Sequence, residues 1–279
     1  MSEARDNLVR QAGRLLGELR AKRPLVQNIT NFVSMDIAAN VLLAVGASPA
    51  MVHAPEESRD FLTLAQALVI NIGTLSSPWV ESMEVAAKAA RSLGKPWVLD
   101  PVGAGATGFR DSAVKKLIAH RPQVIRGNAS EIMAVARVAG LTQENVKPKG
   151  VDSQNSSAEA EDFARALAIH LQCTIAATGT IDFITDGTNE IRLANGSPLM
   201  ARVTAVGCSL SALVGAFVGI ERDAFVATQS ALAIYGVAGE MAGEMAIRPG
   251  SFRTAFIDAL DAIGPDDLQK RLQMIESVS

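Results

Sequence analysis

The chain has 279 residues, enough for one large α/β domain or two small ones, and its net charge of -3 with scattered basic residues argues against nucleic acid as a partner. Its two cysteines, Cys173 and Cys208, are too far apart for a metal-binding motif, and so few thiols favour a reducing compartment. No signal peptide precedes the first predicted helix, and the longest apolar run, 210–220, is too short to cross a bilayer. We therefore expect a cytoplasmic protein that contacts no membrane.

Hydrophobic spacing and capping residues predict helices and strands that alternate along the chain. The predicted strands cover 24–28, 48–54, 67–72, 96–100, 123–126 and 174–178, followed by a hairpin of 182–185 and 190–193. The predicted helices cover 8–19, 34–45, 57–66, a segment capped by Ser77 and closed by Gly94, then 109–120, 129–139, 158–171, 208–220, 223–246, 252–263 and 266–277. The segment 147–155 is polar and irregular. This order predicts a single α/β domain over residues 1–279, with a central, mostly parallel sheet and helices on both faces.

Polar residues and glycines recur where the predicted parallel strands end. In chain order they are Asn28, Asn31, Asn71, Gly73, Asp100, Arg126, Asn128, Thr178 and Gly179. Ligands of such sheets bind beyond the carboxyl ends of the strands. The sequence therefore predicts one site at this edge.

The segment 203–212 predicts an anion site with a reactive side chain. A turn of small residues leads into an apolar helix at Gly207 and Cys208. The free N–H groups and positive dipole at a helix start favour phosphate, and they lower the pKa of a thiol placed there. Such a thiol can take a proton from an alcohol. The alternative is close packing at Gly207 and a small buried hydrophobic side chain at Cys208.

Two further clusters predict phosphate and metal chemistry. Asp100, at a strand end before a glycine-rich turn, can hold Mg²⁺ through water. Glu131 can do the same three residues after Asn128, and Arg126 can pair with a nucleotide phosphate. The alternatives are an ordinary turn at Asp100 and a helix-capping pair of Asn128 and Glu131.

The remaining candidate residues are less specific. Asn28 can hydrogen-bond a small heterocycle, and Met51 can offer a soft apolar wall. The segment 178–187, with Thr178 at a strand end, can wall a nucleotide pocket. The alternatives are core packing, turn amides and a plain hairpin. His53, His120 and His170 have no matching partner in sequence, so we interpret them as surface or structural histidines.

Seven segments together resemble the hydroxyethylthiazole kinase family of the ribokinase-like superfamily. They are 27–31, 48–51, 99–104, 127–131, 150–153, 178–187 and 207–210, in the family's order between residue 24 and about 220. One such motif is weak evidence, whereas seven in order are specific.

The resemblance implies an ATP- and Mg²⁺-dependent kinase of 4-methyl-5-(2-hydroxyethyl)thiazole in thiamine biosynthesis, assembled as a homotrimer with active sites between subunits. It implies that Met51 and Ala205 contact the thiazole and that Arg126 and Thr178 contact ATP. Asn128 and Glu131 match the superfamily's metal and phosphate motif. Cys208 matches the position of its usual catalytic aspartate. The alternatives are a kinase of another small alcohol, such as a hydroxymethylpyrimidine or pyridoxal, a nucleotide-dependent hydrate dehydratase, and a silent binding protein.

One departure from the family pattern falls inside the predicted anion site. The family usually has Gly-x-Gly-Cys where this chain has Ala205, Val206, Gly207 and Cys208. Glycine tolerates a positive φ and close ligand approach, whereas alanine and valine do not. If the first position needs a positive φ, we expect an altered anion site and a weaker substrate contact at Ala205.

Overall fold

A computed structural model describes residues 3–142 and 156–275 of the chain. The strands are β1 (Leu25–Ile29), β2 (Ser48–Ala50), β3 (Ala67–Asn71), β4 (Trp97–Asp100), β5 (Val124–Asn128), β6 (Thr174–Thr178), β7 (Asp182–Thr185), β8 (Glu190–Leu193) and β9 (Met274–Ile275). The helices are α1 (Glu3–Lys22), α2 (Met35–Ala44), α3 (Pro55–Leu64), α4 (Ser77–Leu93), α5 (Gly108–Ile118), α6 (Ala129–Val138), α7 (Ser156–Leu171), α8 (Val206–Val218), α9 (Ala224–Met245), α10 (Pro249–Ala262) and α11 (Pro265–Arg271). The predicted irregular segment 147–155 lies outside the described residues.

The described strands form one sheet in the order β2-β1-β3-β4-β5-β6-β7-β8-β9. The pairs from β2 to β6 are parallel, and β7 to β9 are antiparallel additions at one edge. Strand β3 is buried along its whole length, as expected for a parallel strand covered on both faces. The predicted mostly parallel sheet is therefore confirmed.

Two apolar cores lie on opposite faces of the sheet. One core packs α1, α2, α8, α9, α10 and α11 against the sheet, and the other packs α3, α4, α5, α6 and α7. Helix α8 contacts β1, β3 and β4 near the centre of the sheet. A side chain at Gly215 of α8 would overlap Val69 of β3, so this glycine allows the helix to lie directly on the strands. The close packing places the start of α8 at the carboxyl ends of the central strands.

Several predicted element boundaries are wrong. Helix α8 begins at Val206, two residues before the predicted start at Cys208. The second strand ends at Ala50 because the chain then leaves β1, and the cap of α4 is Ser76, without a side-chain cap bond. The last predicted helix ends at Arg271, since the following residues extend and pair with β8 as β9.

No helix within residues 3–142 and 156–275 is both long enough and apolar enough to cross a membrane.

Candidate active site

The sheet register brings the strand-end residues into one cluster. Asn71 at the end of β3 is opposite Asp100 at the end of β4. Asn128 at the end of β5 is opposite Thr178 at the end of β6. Since α8 starts above the same edge, these side chains lie close to its N-terminus, as the sequence predicts.

Asp100 is a fully buried carboxylate, with no exposed surface. Its Oδ2 accepts hydrogen bonds from Asn71 Nδ2 at 2.7 Å and Ser211 Oγ at 2.8 Å. Its Oδ1 is buried and has no hydrogen-bond partner among the described residues. Burial is the main cause that raises the pKa of Asp100 to about 6, and nearby Arg126 opposes it.

Arg126 joins the predicted nucleotide residues at the centre of the site. Its guanidinium donates a hydrogen bond to Thr178 Oγ1, and its Nη1 lies 3.9 Å from Asp100 Oδ2. A Cβ at Gly207 would lie 3.0 Å from Arg126 Nη1, so the absent side chain lets the guanidinium approach the start of α8. The geometry therefore brings Asp100, Arg126, Thr178 and Gly207 together.

Cys208 lies in the first turn of α8 and is half-buried. Its Sγ accepts a hydrogen bond from Asn31 Nδ2 at 3.5 Å. The prediction of a lowered thiol pKa is wrong. Burial is the largest effect and raises the pKa of Cys208 above its ordinary value, and Asp100 adds to it, whereas the amides of Asn71 and Asn31 and the charge of Arg126 oppose it.

The turn before α8 has a positive φ at Ala205, the position where this chain departs from the glycine of the family pattern. Ala205 occupies the N-cap position with φ +60° and ψ +13°, in the left-handed region. This region costs a residue with a Cβ about 1–2 kcal/mol. The chain therefore keeps the backbone conformation favoured by glycine, although it carries alanine there.

The capping interpretation of Asn128 and Glu131 is confirmed as geometry. Asn128 Oδ1 accepts from the Glu131 N–H at 3.0 Å, and Glu131 Oε2 accepts from the Asn128 N–H at 2.8 Å. Glu131 Oε1 also accepts from the Gly103 N–H at 2.9 Å. The carboxylate therefore fastens the glycine-rich turn after Asp100 to the start of α6.

The residues predicted to contact a heterocycle are less closely grouped. Asn28 does not follow the first strand but lies inside β1, where it is buried and its Nδ2 donates to the Val26 carbonyl at 2.9 Å. Its Oδ1 is buried without a partner among the described residues. Met51 follows β2 and packs, half-buried, against the same core as Ala205.

Four further residues lie near the site, and the sequence alone assigns none of them a role there. The His53 ring stacks on Trp79 with centroids 4.1 Å apart, so it is a packed side chain beside the loop that follows β2. Asn31 and Asn71 were recognised as strand-end polar residues but given no role. Ser211 was missed altogether; its position three residues after Cys208, on one face of the same helix, is the signal that points to it.

The donor set for a metal is small. Within the described ranges, no group of three or more His, Cys, Asp or Glu side chains is placed to hold a metal ion. The two predicted carboxylates, Asp100 and Glu131, are near enough for the charge of Glu131 to raise the pKa of Asp100. Two carboxylates suit Mg²⁺, which keeps several waters, better than a metal enclosed by protein ligands.

Comparison with known proteins first identifies the class. A ribokinase-like superfamily protein from Enterococcus faecalis has the same fold, with a TM-score of 0.58 at 14% identity over 91% of this chain and 95% of that chain. The chain thus has a ribokinase-like α/β fold, with its buried polar cluster at the carboxyl ends of the parallel strands.

The particular family follows from closer relatives. The profile of the hydroxyethylthiazole kinase family matches residues 16–266. The hydroxyethylthiazole kinase of Cereibacter sphaeroides is 54% identical over 258 residues, which cover 92% of this chain and 96% of that protein. The solved hydroxyethylthiazole kinase of Pyrococcus horikoshii has a TM-score of 0.87 at 41% identity, covering 95% of this chain and 98% of that chain. The chain belongs to the hydroxyethylthiazole kinase family, whose members are phosphotransferases.

Proposed function

We propose that this protein transfers the γ-phosphoryl group of ATP to the hydroxyl of 4-methyl-5-(2-hydroxyethyl)thiazole, giving the thiazole phosphate for thiamine biosynthesis. One observation carries the proposal within this family. Arg126, Thr178, Gly207 and Asp100 converge beside Cys208 at the start of α8. A cation and a helix N-terminus are suited to a transferring phosphoryl group, and the neighbouring thiol is suited to an alcohol.

In the proposed reaction, Arg126 and the first N–H groups of α8 neutralise charge on the transferring group. Thr178 holds the guanidinium of Arg126, and Asn128 fixes the start of α6 beside the nucleotide phosphates. Cys208 positions the thiazole hydroxyl and accepts its proton as the oxygen bonds to phosphorus and the bond to ADP breaks. Phosphoryl transfer needs little bond formation before the transition state, so positioning and charge neutralisation supply most of the rate.

Asp100 and Glu131 are the proposed residues for Mg²⁺. The unpartnered, buried Oδ1 of Asp100 supports the assignment, because a buried carboxylate oxygen without a hydrogen bond is costly. Glu131 uses both oxygens as acceptors of backbone N–H groups, which favours contact through water. When bound with ATP, Mg²⁺ would neutralise phosphate charge.

We further propose that Asn28, Met51 and Ala205 form the thiazole side of the site.

We also propose a single domain over residues 1–279, a cytoplasmic location, no membrane or nucleic-acid partner, and a homotrimer with active sites between subunits. Exposed Phe32 and Val33, next to Asn31 of the site, support the trimer because they offer apolar surface to another copy. A solution mass equal to three chains checks this assembly.

The test is incubation of the purified protein with ATP, Mg²⁺ and a panel of alcohols, with mass spectrometry of the products. Thiazole phosphate formed together with ADP is the expected result. Preferential phosphorylation of a hydroxymethylpyrimidine or pyridoxal would contradict the substrate. Nucleotide-dependent dehydration of a hydrate would indicate the dehydratase, and a thermal shift without turnover would indicate a binding protein.

Gly207→Ala is expected to raise the KM for ATP by about tenfold and to change kcat less. The added Cβ would lie 3.0 Å from one terminal nitrogen of Arg126 and 3.2 Å from the other, so the guanidinium must move away from the start of α8. Gly17→Ala in α1 is the matched control, because a Cβ there meets nothing within 4 Å. Steady-state kinetics with varied ATP measures the effect, and an unchanged KM would remove Arg126 from the nucleotide site.

Ala205→Gly is expected to change the KM for the thiazole more than kcat, since it alters a binding contact without touching the phosphate side. It also relieves the left-handed alanine, whose cost exceeds the added unfolded-chain entropy of glycine, so Tm rises by about 1–3 °C. Gln172→Gly is the control, because exposed Gln172 has φ +54° and relieves similar strain away from the site. If both variants leave the thiazole KM unchanged, Ala205 is not a substrate contact.

A further inference from the structure

A buried chain of amide hydrogen bonds links Cys208 to Asp100. Asn31 Nδ2 donates to Cys208 Sγ at 3.5 Å and to Asn71 Oδ1 at 2.7 Å. Asn71 Nδ2 in turn donates to Asp100 Oδ2 at 2.7 Å. Asn31 is 4% exposed and Asn71 is 1% exposed, so solvent does not replace these contacts.

Asn71 makes a different contact through each half of its amide. Its Oδ1 accepts from Asn31 and from the Gly73 N–H, the latter at 2.9 Å, while its Nδ2 donates to Asp100. This assignment of oxygen and nitrogen is the one that satisfies the carboxylate and the Gly73 N–H together. Apolar residues fill β3 up to Ile70, so the structure places an amide only where the strand reaches the site.

The surrounding backbone is shaped to hold this amide pair. Asn31 Oδ1 accepts from the Val33 and Ser34 N–H groups, each at 3.0 Å, which leaves only its Nδ2 to face Asn71 and Cys208. A Cβ at Gly73 would lie 2.5 Å from Asn31 Nδ2, so only glycine leaves room for this amide. The Asn31 amide is therefore held by the turn on one side and by Asn71 on the other.

We propose that Asn71 is a positioning residue for phosphoryl transfer, which fixes the Asn31 amide beside the Cys208 sulfur and one oxygen of the Asp100 carboxylate in a single arrangement. The inference rests on the proposed function and deepens it. It names a residue that acts on the same site through the Asn31 amide beside Cys208 and through Asp100. The amide of Asn71 also lies close enough to Cys208 to oppose the rise of its pKa, but the hydrogen bonds that orient Asn71 go to Asn31, Gly73 and Asp100. Its loss would free the Asn31 amide and one side of Asp100, and small misplacements of catalytic groups cost about 10²-fold in rate.

The test compares Asn71→Ala and Asn71→Asp with a matched control, Asn195→Ala. Asn71→Asp keeps the shape and the acceptor oxygen but, when ionised, cannot donate to Asp100. Asn195 Nδ2 also donates to a carboxylate, Glu240 Oε2 at 2.7 Å, in contacts that join the segment after β8 to α9 and α11. The measurements are kcat, both KM values, Tm, and the rate at which iodoacetamide alkylates Cys208 at one fixed pH, followed by mass spectrometry of its peptide.

Both Asn71 variants are expected to lower kcat by about 10- to 100-fold, with KM values for ATP and thiazole within about threefold of wild type. Alkylation of Cys208 should slow by about threefold or more in Asn71→Ala, because a fixed amide donor favours the charged sulfur. In Asn71→Asp, which keeps the acceptor for Asn31, it should slow because the added negative charge disfavours the thiolate. Asn195→Ala should lower Tm but leave kcat and the alkylation rate near their wild-type values.

Unchanged kcat and alkylation in folded Asn71→Asp would overturn the proposal, as would equal losses of kcat in Asn71→Ala and Asn195→Ala in proportion to Tm. The alkylation rate needs no turnover, so it separates this inference from the proposed function. A wild-type protein that makes no thiazole phosphate would refute the proposed function, whereas slower alkylation in Asn71→Ala would still support the contact with Cys208.

Discussion

Asp100→Asn is expected to make the protein more stable at pH 7 while lowering kcat by about 10²-fold or more. The amide oxygen of asparagine can accept the same hydrogen bonds from Asn71 and Ser211 that Asp100 Oδ2 accepts. The substitution removes a charge from a site with no exposed surface, where burial outweighs the opposing effect of Arg126 and raises the pKa of the carboxyl to about 6. Kinase activity falls because the proposed magnesium ligand and the charge beside Arg126 are lost. Gain of stability with loss of activity is typical of a residue retained for function.

The stability difference should depend on pH with a definite sign. The folded-state pKa of Asp100 is about 6, above its ordinary value of 3.8, so the folded protein holds this proton more tightly than the unfolded chain. The protonated carboxyl contributes fully below pH 4, and its contribution is lost as the pH rises to about 6. This difference corresponds to about 3 kcal/mol, which the asparagine variant does not lose.

Chemical unfolding of both proteins between pH 4 and pH 8, together with kinase assays, checks this prediction. The advantage of Asp100→Asn should be small at pH 4 and reach its full size above pH 6. Asp223→Asn is the control, because exposed Asp223 caps α9 through one oxygen and asparagine caps a helix equally well. A variant that is less stable than wild type at pH 7, or that keeps full activity, would contradict the argument.

Local signals were sufficient for much of the fold. The hairpin of β7 and β8 was predicted with its observed ends, since alternating strands flank a turn at Asp186 and Gly187. The start of α8 was misplaced because its N-cap, Ala205, has no capping side chain and is recognisable only by its left-handed backbone. Strand β9 was missed because two residues form a strand only through pairing with distant β8.

For the site too, local sequence patterns predict some features, whereas others depend on contacts between residues that are far apart in sequence. Parallel strands end at one edge, so the ordered polar residues at strand ends predicted the convergence of Asp100, Arg126 and Thr178. The roles of Asn31 and Asn71 depend on their contacts with each other, with Asp100 and with Cys208. These residues are far apart in sequence, so no local pattern specifies the contacts. The pKa of Cys208 was predicted in the wrong direction because burial and the charge of Asp100 raise it, and both are properties of the packed structure.

Cys208→Ala is expected to lower kcat by about 10²-fold, the usual contribution of a positioned proton acceptor, with little change in Tm. Burial, with Asp100 adding to it, raises the pKa of this thiol above its ordinary value, so the thiol form predominates in the free protein at pH 7. If the thiolate accepts the alcohol proton, wild-type kcat should rise between pH 7 and pH 9, and Cys208→Ala should lose that rise. Cys173→Ala is the control, because Cys173 is a buried thiol in the opposite core with a pKa of about 12, and it should keep the wild-type profile.

Cys208→Asp separates a catalytic role from a packing role. A carboxylate at this position is ionised at lower pH than a thiol, and the Asn31 amide and Arg126 favour its charged form, although Asp100 opposes it. If Cys208 accepts the proton, the aspartate variant should equal or exceed wild-type kcat at pH 7 and lose the alkaline rise. If Cys208 only packs, alanine is nearly harmless, whereas aspartate brings a second carboxylate beside buried Asp100 and lowers Tm. An active alanine variant beside an unstable aspartate variant would therefore end the catalytic interpretation, since neither kcat nor its pH dependence would then require the sulfur.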